Sequence, residues 1–228
     1  MYWQETKEHE RYIVHDDIVD VVYGIDCRAL PVDHAYALSQ AIQQALPWFA
    51  EEKHAGLHTI HVAESGNGWM RPDQADALLY LSRRTKLTLR LPKHRLDDAG
   101  KLTGRTLDIG GNRLRVEKSV VRPLSPITTV FSRYIVSREG ADENAFLRDA
   151  VAMFREMGVL PRKMLCGMEH VIATPDRIIR ARSLMLAELT VEESVKLQQQ
   201  GLGPERKLGC GLFIPHKDIR EVKPVLDY

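Results

Sequence analysis

The run Gly201-Leu202-Gly203-Pro204-Glu205-Arg206-Lys207-Leu208-Gly209-Cys210-Gly211-Leu212-Phe213 constrains this chain more than any other stretch. Two Gly-x-Gly pairs enclose a five-residue insert that carries Arg206 and Lys207. Residues without a Cβ let backbone come close to other backbone or to a phosphate, and successive N–H groups in such a turn form an anion-binding nest. The flanks place the loop. Thr190 and Glu193 have capping-box spacing at the start of a helix over 190–200, and Gly201 stands where a helix C-cap glycine belongs. Residues 211–214 read as a short buried strand, stopped by Pro215. The order helix, glycine loop, strand excludes two commoner phosphate loops. The dinucleotide fingerprint needs Gly-x-Gly-x-x-Gly between a strand and a following helix, and the nucleoside-triphosphate loop needs Gly-Lys-Ser/Thr. Two readings remain: a tight turn with glycine hinges, or an anion-gripping loop with Arg206 and Lys207 charged at its tip.

The rest of the chain supplies a frame. Residues 17–30 predict a strand broken by Pro31. Asp33 is placed to cap a helix over 34–46, with Ala35, Leu38, Ile42 and Ala45 on one face. Strands are expected over 57–63, 78–81 and 86–91, a short helix over 94–102, and hairpin arms at 106–109 and 112–116 around Gly110-Gly111. Leu124-Ser-Pro126 marks a boundary, giving domains 1–124 and 125–228. After it come a strand (129–137), a helix (143–157), a hairpin of two strands (163–173 and 178–189), then the capped helix, the glycine loop and the last strand. This is βαββαβ, used twice. The fold class is α+β, with two tandem ferredoxin-like domains.

The glycine pattern, with apolar residues inside each pair and basic residues in the insert, resembles the C-terminal loop of the CRISPR-associated endoribonucleases that process repeat RNA. These belong to the repeat-associated mysterious protein (RAMP) superfamily, whose processing members have tandem ferredoxin-like domains. The resemblance implies a metal-independent endoribonuclease that cuts CRISPR precursor RNA within its repeats. The 2′-OH attacks the adjacent phosphate, leaving a 2′,3′-cyclic phosphate and a 5′-hydroxyl, with no cofactor. The partners it implies are repeat RNA, as a stem-loop or unstructured, and other subunits of a CRISPR effector complex. The alternative is a non-catalytic RAMP subunit that holds RNA, and an active-site histidine separates the two.

Composition agrees with a polyanion as partner. The formal net charge is only +1, but residues 83–122 hold 12 lysines and arginines against 4 acids. Such local excess is the footprint a nucleic acid needs, although folding can also disperse it. The three cysteines, Cys27, Cys166 and Cys210, have neither disulfide nor zinc spacing. No apolar run approaches a membrane span and the N-terminus is polar, so a soluble, cytoplasmic protein without a membrane partner is expected.

Among the histidines, His34 is singled out by position. It falls in the first turn of the first helix, where the helix N-terminus favours phosphate and lowers a histidine's pKa. The family resemblance points to the same region for the catalytic base, so His34 is the candidate base and Tyr36 a candidate for orienting the nucleophile. His58 and His61, three apart on a predicted strand, are expected to point to opposite faces. RNA grip is expected from Gly201, Gly203, Arg206, Lys207, Gly209 and Gly211 of the loop. It is also expected from Arg177, Arg180 and Arg182 of the hairpin, and from Arg83 and Arg84 at the start of the basic segment. Trp69 can stack on an unpaired base or lie in the core. No metal-ligand spacing is evident.

Overall fold

The computed structural model describes residues 17–62 and 77–216. In chain order the elements are β1 (Ile18–Asp26), β2 (Ala29–Pro31), α1 (Ala35–Ala45), α2 (Trp48–Glu51), β3 (Gly56–His58), β4 (Leu78–Tyr80), β5 (Lys86–Pro92), α3 (Leu96–Gly100), β6 (Thr106–Ile109) and β7 (Asn112–Pro123). There follow β8 (Val130–Val136), α4 (Glu143–Glu156), β9 (Lys163–Ala173), β10 (Ile178–Ala187), α5 (Val191–Gln200) and β11 (Phe213–Pro215).

Two antiparallel sheets carry the architecture. The first has the order β3-β5-β1-β7-β6 and the second β11-β8-β10-β9. With the β6 arm set aside, each places its first strand centrally, between the fourth and third strands of a βαββαβ unit. This is the ferredoxin-like arrangement, twice. One core, around Tyr23, Leu38, Phe49, Leu89 and Leu114, fills the first sheet-and-helix layer. Another, around Phe146, Phe154, Leu184, Leu197 and Phe213, fills the second. Each arises because strand residues alternate inward while helix residues recur on one face. α4 is capped by the Asp142 carboxylate, which accepts from Ala145 N (2.7 Å). α5 carries the full capping box, Thr190 Oγ1 accepting from Glu193 N while Glu193 Oε2 accepts from Thr190 N.

Three local expectations are corrected. The first strand does not run through to residue 30. It stops at Asp26, and β2 then pairs with β4 in a small separate ribbon, Leu30 opposite Leu79. Asp33 does not cap α1; His34 occupies the N-cap position with no side-chain cap, and Asp33 Oδ2 instead accepts from Ala173 N of the hairpin (2.9 Å). The strand expected over 57–63 ends at His58, and two residues on Ile60 N donates to His34 Nε2 (3.1 Å) at the start of α1. Trp69 lies outside the described residues.

The two sheets are bound to each other by buried polar links as well as apolar packing. Arg90 on β5 is fully buried. Its Nε and Nη2 donate to the two carboxylate oxygens of Asp20 (2.8 and 2.9 Å), and its Nη1 donates to Gln198 O and Phe213 O (2.9 and 2.6 Å). A buried cation is tolerable only with such complete pairing. Ala35 joins Tyr134, Ile172, Ile179, Ala181, Leu208 and Cys210 in a third apolar cluster between the halves, with Tyr36 packed against it.

Candidate nucleic-acid interface and catalytic residues

The glycine loop folds as a 3-10 turn (Arg206–Leu208) between α5 and β11, and it is pressed against the first half of the chain. Gly209 has φ +89°. A Cβ there would lie 2.8 Å from Thr59 Cγ2 and 3.1 Å from Leu57 O, so its side is filled by the β3 segment. Gly211, at φ +72°, faces Leu202 backbone, and Leu202 N donates to Gly211 O (3.0 Å). Here the glycines permit close approach of protein to protein. Gly201 is the α5 C-cap, and Gly203 is exposed.

Arg206 and Lys207 are therefore corrected from charges at a loop tip to an interdomain clamp. Arg206 Nη1 donates to Gln200 O, and its Nη2 donates to Gln199 O and His54 O (both 3.2 Å). Lys207 Nζ donates to Glu52 O and to Ala55 O (2.8 Å). Gln199 O and Gln200 O are the last carbonyls of α5 and Glu52 is the C-cap of α2, where a helix C-terminus attracts cations, and His54 O and Ala55 O follow in the next turn. Burial, with help from nearby Arg90, pushes the Arg206 pKa down to about 10. Burial and then the Arg206 charge bring Lys207 down to about 8.

His34, the expected base, is deeply buried. It is 2% exposed. Its Nδ1–H donates to Pro31 O (2.9 Å) and its Nε2 accepts from Ile60 N (3.1 Å). That pattern fixes the neutral tautomer with the basic nitrogen already occupied. In this arrangement the Nε2 lone pair of His34 holds the Ile60 backbone. Tyr36 lies partly buried in the seam between the halves, packed on the cluster that holds Ile172 and Ile179 at the turn end of the β9–β10 hairpin. The hairpin arginines are exposed to differing degrees and each has an acidic neighbour: Arg177 pairs with Glu205, Arg180 with Glu169 (2.7 Å), and Arg182 with the same carboxylate at 3.7 Å.

The cationic surface lies elsewhere, in a cleft of about 450 Å³ between the two sheets. Arg84, Lys86 and Arg122 from the first half and Arg133 from β8 line it, together with His58 and His61. Lys86 and Arg122 also border a second hollow of about 630 Å³ over the outer face of β1 and β7, which carries Arg115 and Lys118 beside Asp26 and Glu117. Arg84 thus stands in the cleft, while Arg83 is an exposed neighbour. His58 and His61 share the cleft wall rather than opposite faces, since the strand that would have alternated them ends between them. Arg133 Nη1 donates to His61 Nε2 (2.8 Å). His58 Nε2 is buried without a hydrogen bond, 3.7 Å from Asp20 Oδ1, and burial holds its pKa below the ordinary value.

Sequence reasoning missed Arg133, which sits in an otherwise unremarkable strand, and it misread His58 and His61. The excess of charge over 83–122 was the available signal for Arg84, Lys86 and Arg122. Among the described residues no group of three His, Cys, Asp or Glu stands within metal-binding reach, and no helix is long and apolar enough to cross a membrane.

Two ferredoxin-like sheets in tandem, closed by a C-terminal glycine loop, make this a tandem ferredoxin-like α+β protein. The chain belongs to the Cas6 family: the family model described as Cas6 Crispr matches residues 19–218. It is 28% identical over 197 residues to the CRISPR-associated endonuclease Cas6 of Myxococcus xanthus (strain DK1622), covering 86% of this chain and 81% of that protein. Among solved structures, a CRISPR associated protein Cas6 superposes with TM-score 0.61 at 11% identity, over 88% of this chain and all of that one. A RAMP protein described as binding different RNA substrates superposes with TM-score 0.58 at 15% identity, over 87% of this chain and all of that one. A Cas6-related protein from Pyrococcus furiosus gives 0.54 at 16% identity, over 90% and 99%. These likenesses concern the fold.

Proposed function

We propose that this protein is an endoribonuclease of the cytoplasm that cuts CRISPR precursor RNA within its repeats, without a metal ion, through attack by the RNA's own 2′-OH. The products are a 2′,3′-cyclic phosphate and a 5′-hydroxyl. Family membership supports the reaction class. The observation that carries the site is the cationic interdomain cleft with two histidines on its wall, since a ribose 2′-OH needs a base and a nearby scissile phosphate needs positive charge. Arg83, Arg84 and their neighbours would grip the strand. Arg177, Arg180 and Arg182 would reach a stem once RNA phosphates compete for them against Glu205 and Glu169. Tyr36, at the seam, would help to orient the RNA. Subunits of an effector complex are further partners.

A second reading, an RNA-holding subunit that does not cut, is favoured by one observation: both ring nitrogens of His34 are occupied. One experiment separates them. The host's repeat RNA is incubated with the protein in EDTA, with and without a 2′-deoxy substitution at the cleavage nucleotide. The proposed function predicts cutting of the all-ribose RNA at an undiminished rate in EDTA and none of the 2′-deoxy RNA. Tight binding without cutting of either would assign the holding role.

A further inference from the structure

We propose that the open face of the second sheet is a stacking platform for unpaired bases of the bound RNA, centred on Phe131. This deepens the RNA-binding part of the reading above and does not depend on cutting. Strand register places the platform. Val130 of β8, Leu184 and Leu186 of β10, Phe213 of β11 and Met164 and Cys166 of β9 all belong to the core under α4 and α5. Their neighbours along each strand therefore point away from those helices. Those neighbours stand in one row: Ile214 is opposite Phe131, Phe131 opposite Met185, and Met185 opposite Leu165. Four apolar side chains thus cross all four strands at one level. Towards the β9–β10 turn the same face is covered, where Ala35 of α1 and Leu208 and Cys210 of the glycine loop meet Ile179 and Ala181. At the far end of the row Leu165 is 61% exposed, and Met168, beside the register shift of β9, is 78% exposed.

Continuity with the cationic cleft selects RNA as the occupant. Ile214 at the near end of the row and Arg133 of β8 also line that cleft, together with Arg84, Lys86 and Arg122. A strand whose phosphates lie on those cations is led onto the row. There it meets planar groups. The Arg133 guanidinium carbon is 5.6 Å from the centroid of the Phe131 ring, and the His216 ring is 6.1 Å from it at 60°. Aromatic rings and guanidinium planes are the surfaces on which splayed-out bases stack, and four-stranded sheets that bind single-stranded RNA use their aromatics in this way. Met185 across from Phe131 adds a polarizable apolar neighbour. Phe131 is the one aromatic side chain of the row, so the platform suits one or two bases. Every base has a π-face, so it takes unpaired nucleotides with little regard to sequence.

The test is a cycle between protein and RNA. Equilibrium binding of the host's repeat RNA, kept whole by a 2′-deoxy cleavage nucleotide, is measured for the wild type, Phe131→Leu and Phe131→Tyr. The RNA is used intact and with each unpaired nucleotide in turn made abasic. Phe131→Leu keeps an apolar side chain and removes the ring. It should bind the intact RNA about tenfold more weakly, within the range of one lost base stack, with the salt dependence unchanged. Phe131→Tyr keeps the ring and should bind like the wild type. One or two adjacent abasic positions should cost the wild type about the same tenfold, and should cost Phe131→Leu little more. Phe131→Leu with wild-type affinity would overturn the inference, and so would abasic penalties that add to the Phe131→Leu loss at every position. An abasic scan of the wild type without any costlier position would do the same. Each of these leaves RNA binding in the cleft intact and gives the apolar row to a protein partner. A wild type that does not bind the repeat RNA would remove the proposed function as well.

Discussion

Asp20 shows how much a single buried carboxylate does in this chain. Burial alone would raise its pKa, but the Arg90 guanidinium beside it more than offsets that and holds the carboxyl well below its ordinary value. The pair is also the anchor from which Arg90 reaches Gln198 O and Phe213 O in the second half. Replacing one partner of a buried pair leaves the other charge uncompensated, so Asp20→Asn should lower unfolding free energy by about 3–5 kcal/mol at neutral pH. A carboxyl whose folded-state pKa is depressed contributes stability above its unfolded pKa and loses it as pH falls. The wild type should therefore lose stability below about pH 4 more steeply than Asp20→Asn. Urea titrations at pH 7, 4 and 3 read both effects, and parallel acid limbs in the two proteins would contradict the pairing.

The glycine loop makes its own prediction at the scale of the element. Among the described residues the hydrogen bonds of Arg206 and Lys207 go to backbone carbonyls, so replacing both by Ala should remove two charged clamps. The expected loss is about 3 kcal/mol or more, at 1.5–3 kcal/mol for each charged hydrogen bond. Lys207 adds a pH signature. Its folded-state pKa of about 8 lies below the ordinary 10.5, so the unfolded chain binds more protons between those values. Stability should rise as pH goes from about 8 to 10.5, and Lys207→Met should lose that rise. Equal pH dependence of the two proteins by chemical denaturation would show that Lys207 is not buried against Glu52 and Ala55. The loop also marks the limit of what sequence reveals. The capping box of Thr190 and Glu193 was legible because both partners lie within one helical turn. The same holds for the order of the twelve ferredoxin-like elements, which repeats periods of two and of 3.6. The fate of Arg206 and Lys207 was not legible, because their acceptors at residues 52–55 lie about 150 positions away and are backbone atoms, which every residue has. The bond of His34 to Ile60 N was not legible for the same reason: a backbone N–H carries no sequence signal. His58 and His61 were misplaced because only the tertiary bond to His34 ends β3 before their faces alternate.

At the scale of the molecule, the basic segment over 83–122 divides on folding. Arg90 is buried against Asp20, and Arg95 and Lys101 pair with Glu52 and Asp98, whereas Arg84, Lys86, Arg115, Lys118 and Arg122 line two adjoining hollows, one of them shared with Arg133 from the other half. Binding there should release counterions, so the slope of log affinity for RNA against log salt should fall by about 0.7 for each phosphate contact removed from a single strand. Arg84→Ala with Lys86→Ala and Arg122→Ala should thus flatten the salt dependence by about two units. The Arg206→Ala and Lys207→Ala pair should leave it nearly unchanged in conditions where that protein is folded. The reverse ranking would move the RNA track from the cleft to the loop. The central claim is that the RNA supplies its own nucleophile, and the chemistry of the cut ends reads this directly. Mass spectrometry of the repeat-RNA fragments should find a 2′,3′-cyclic phosphate upstream of the cut and a 5′-hydroxyl downstream. A 3′-hydroxyl facing a 5′-phosphate would mean that water or another external nucleophile made the attack, and would contradict the account.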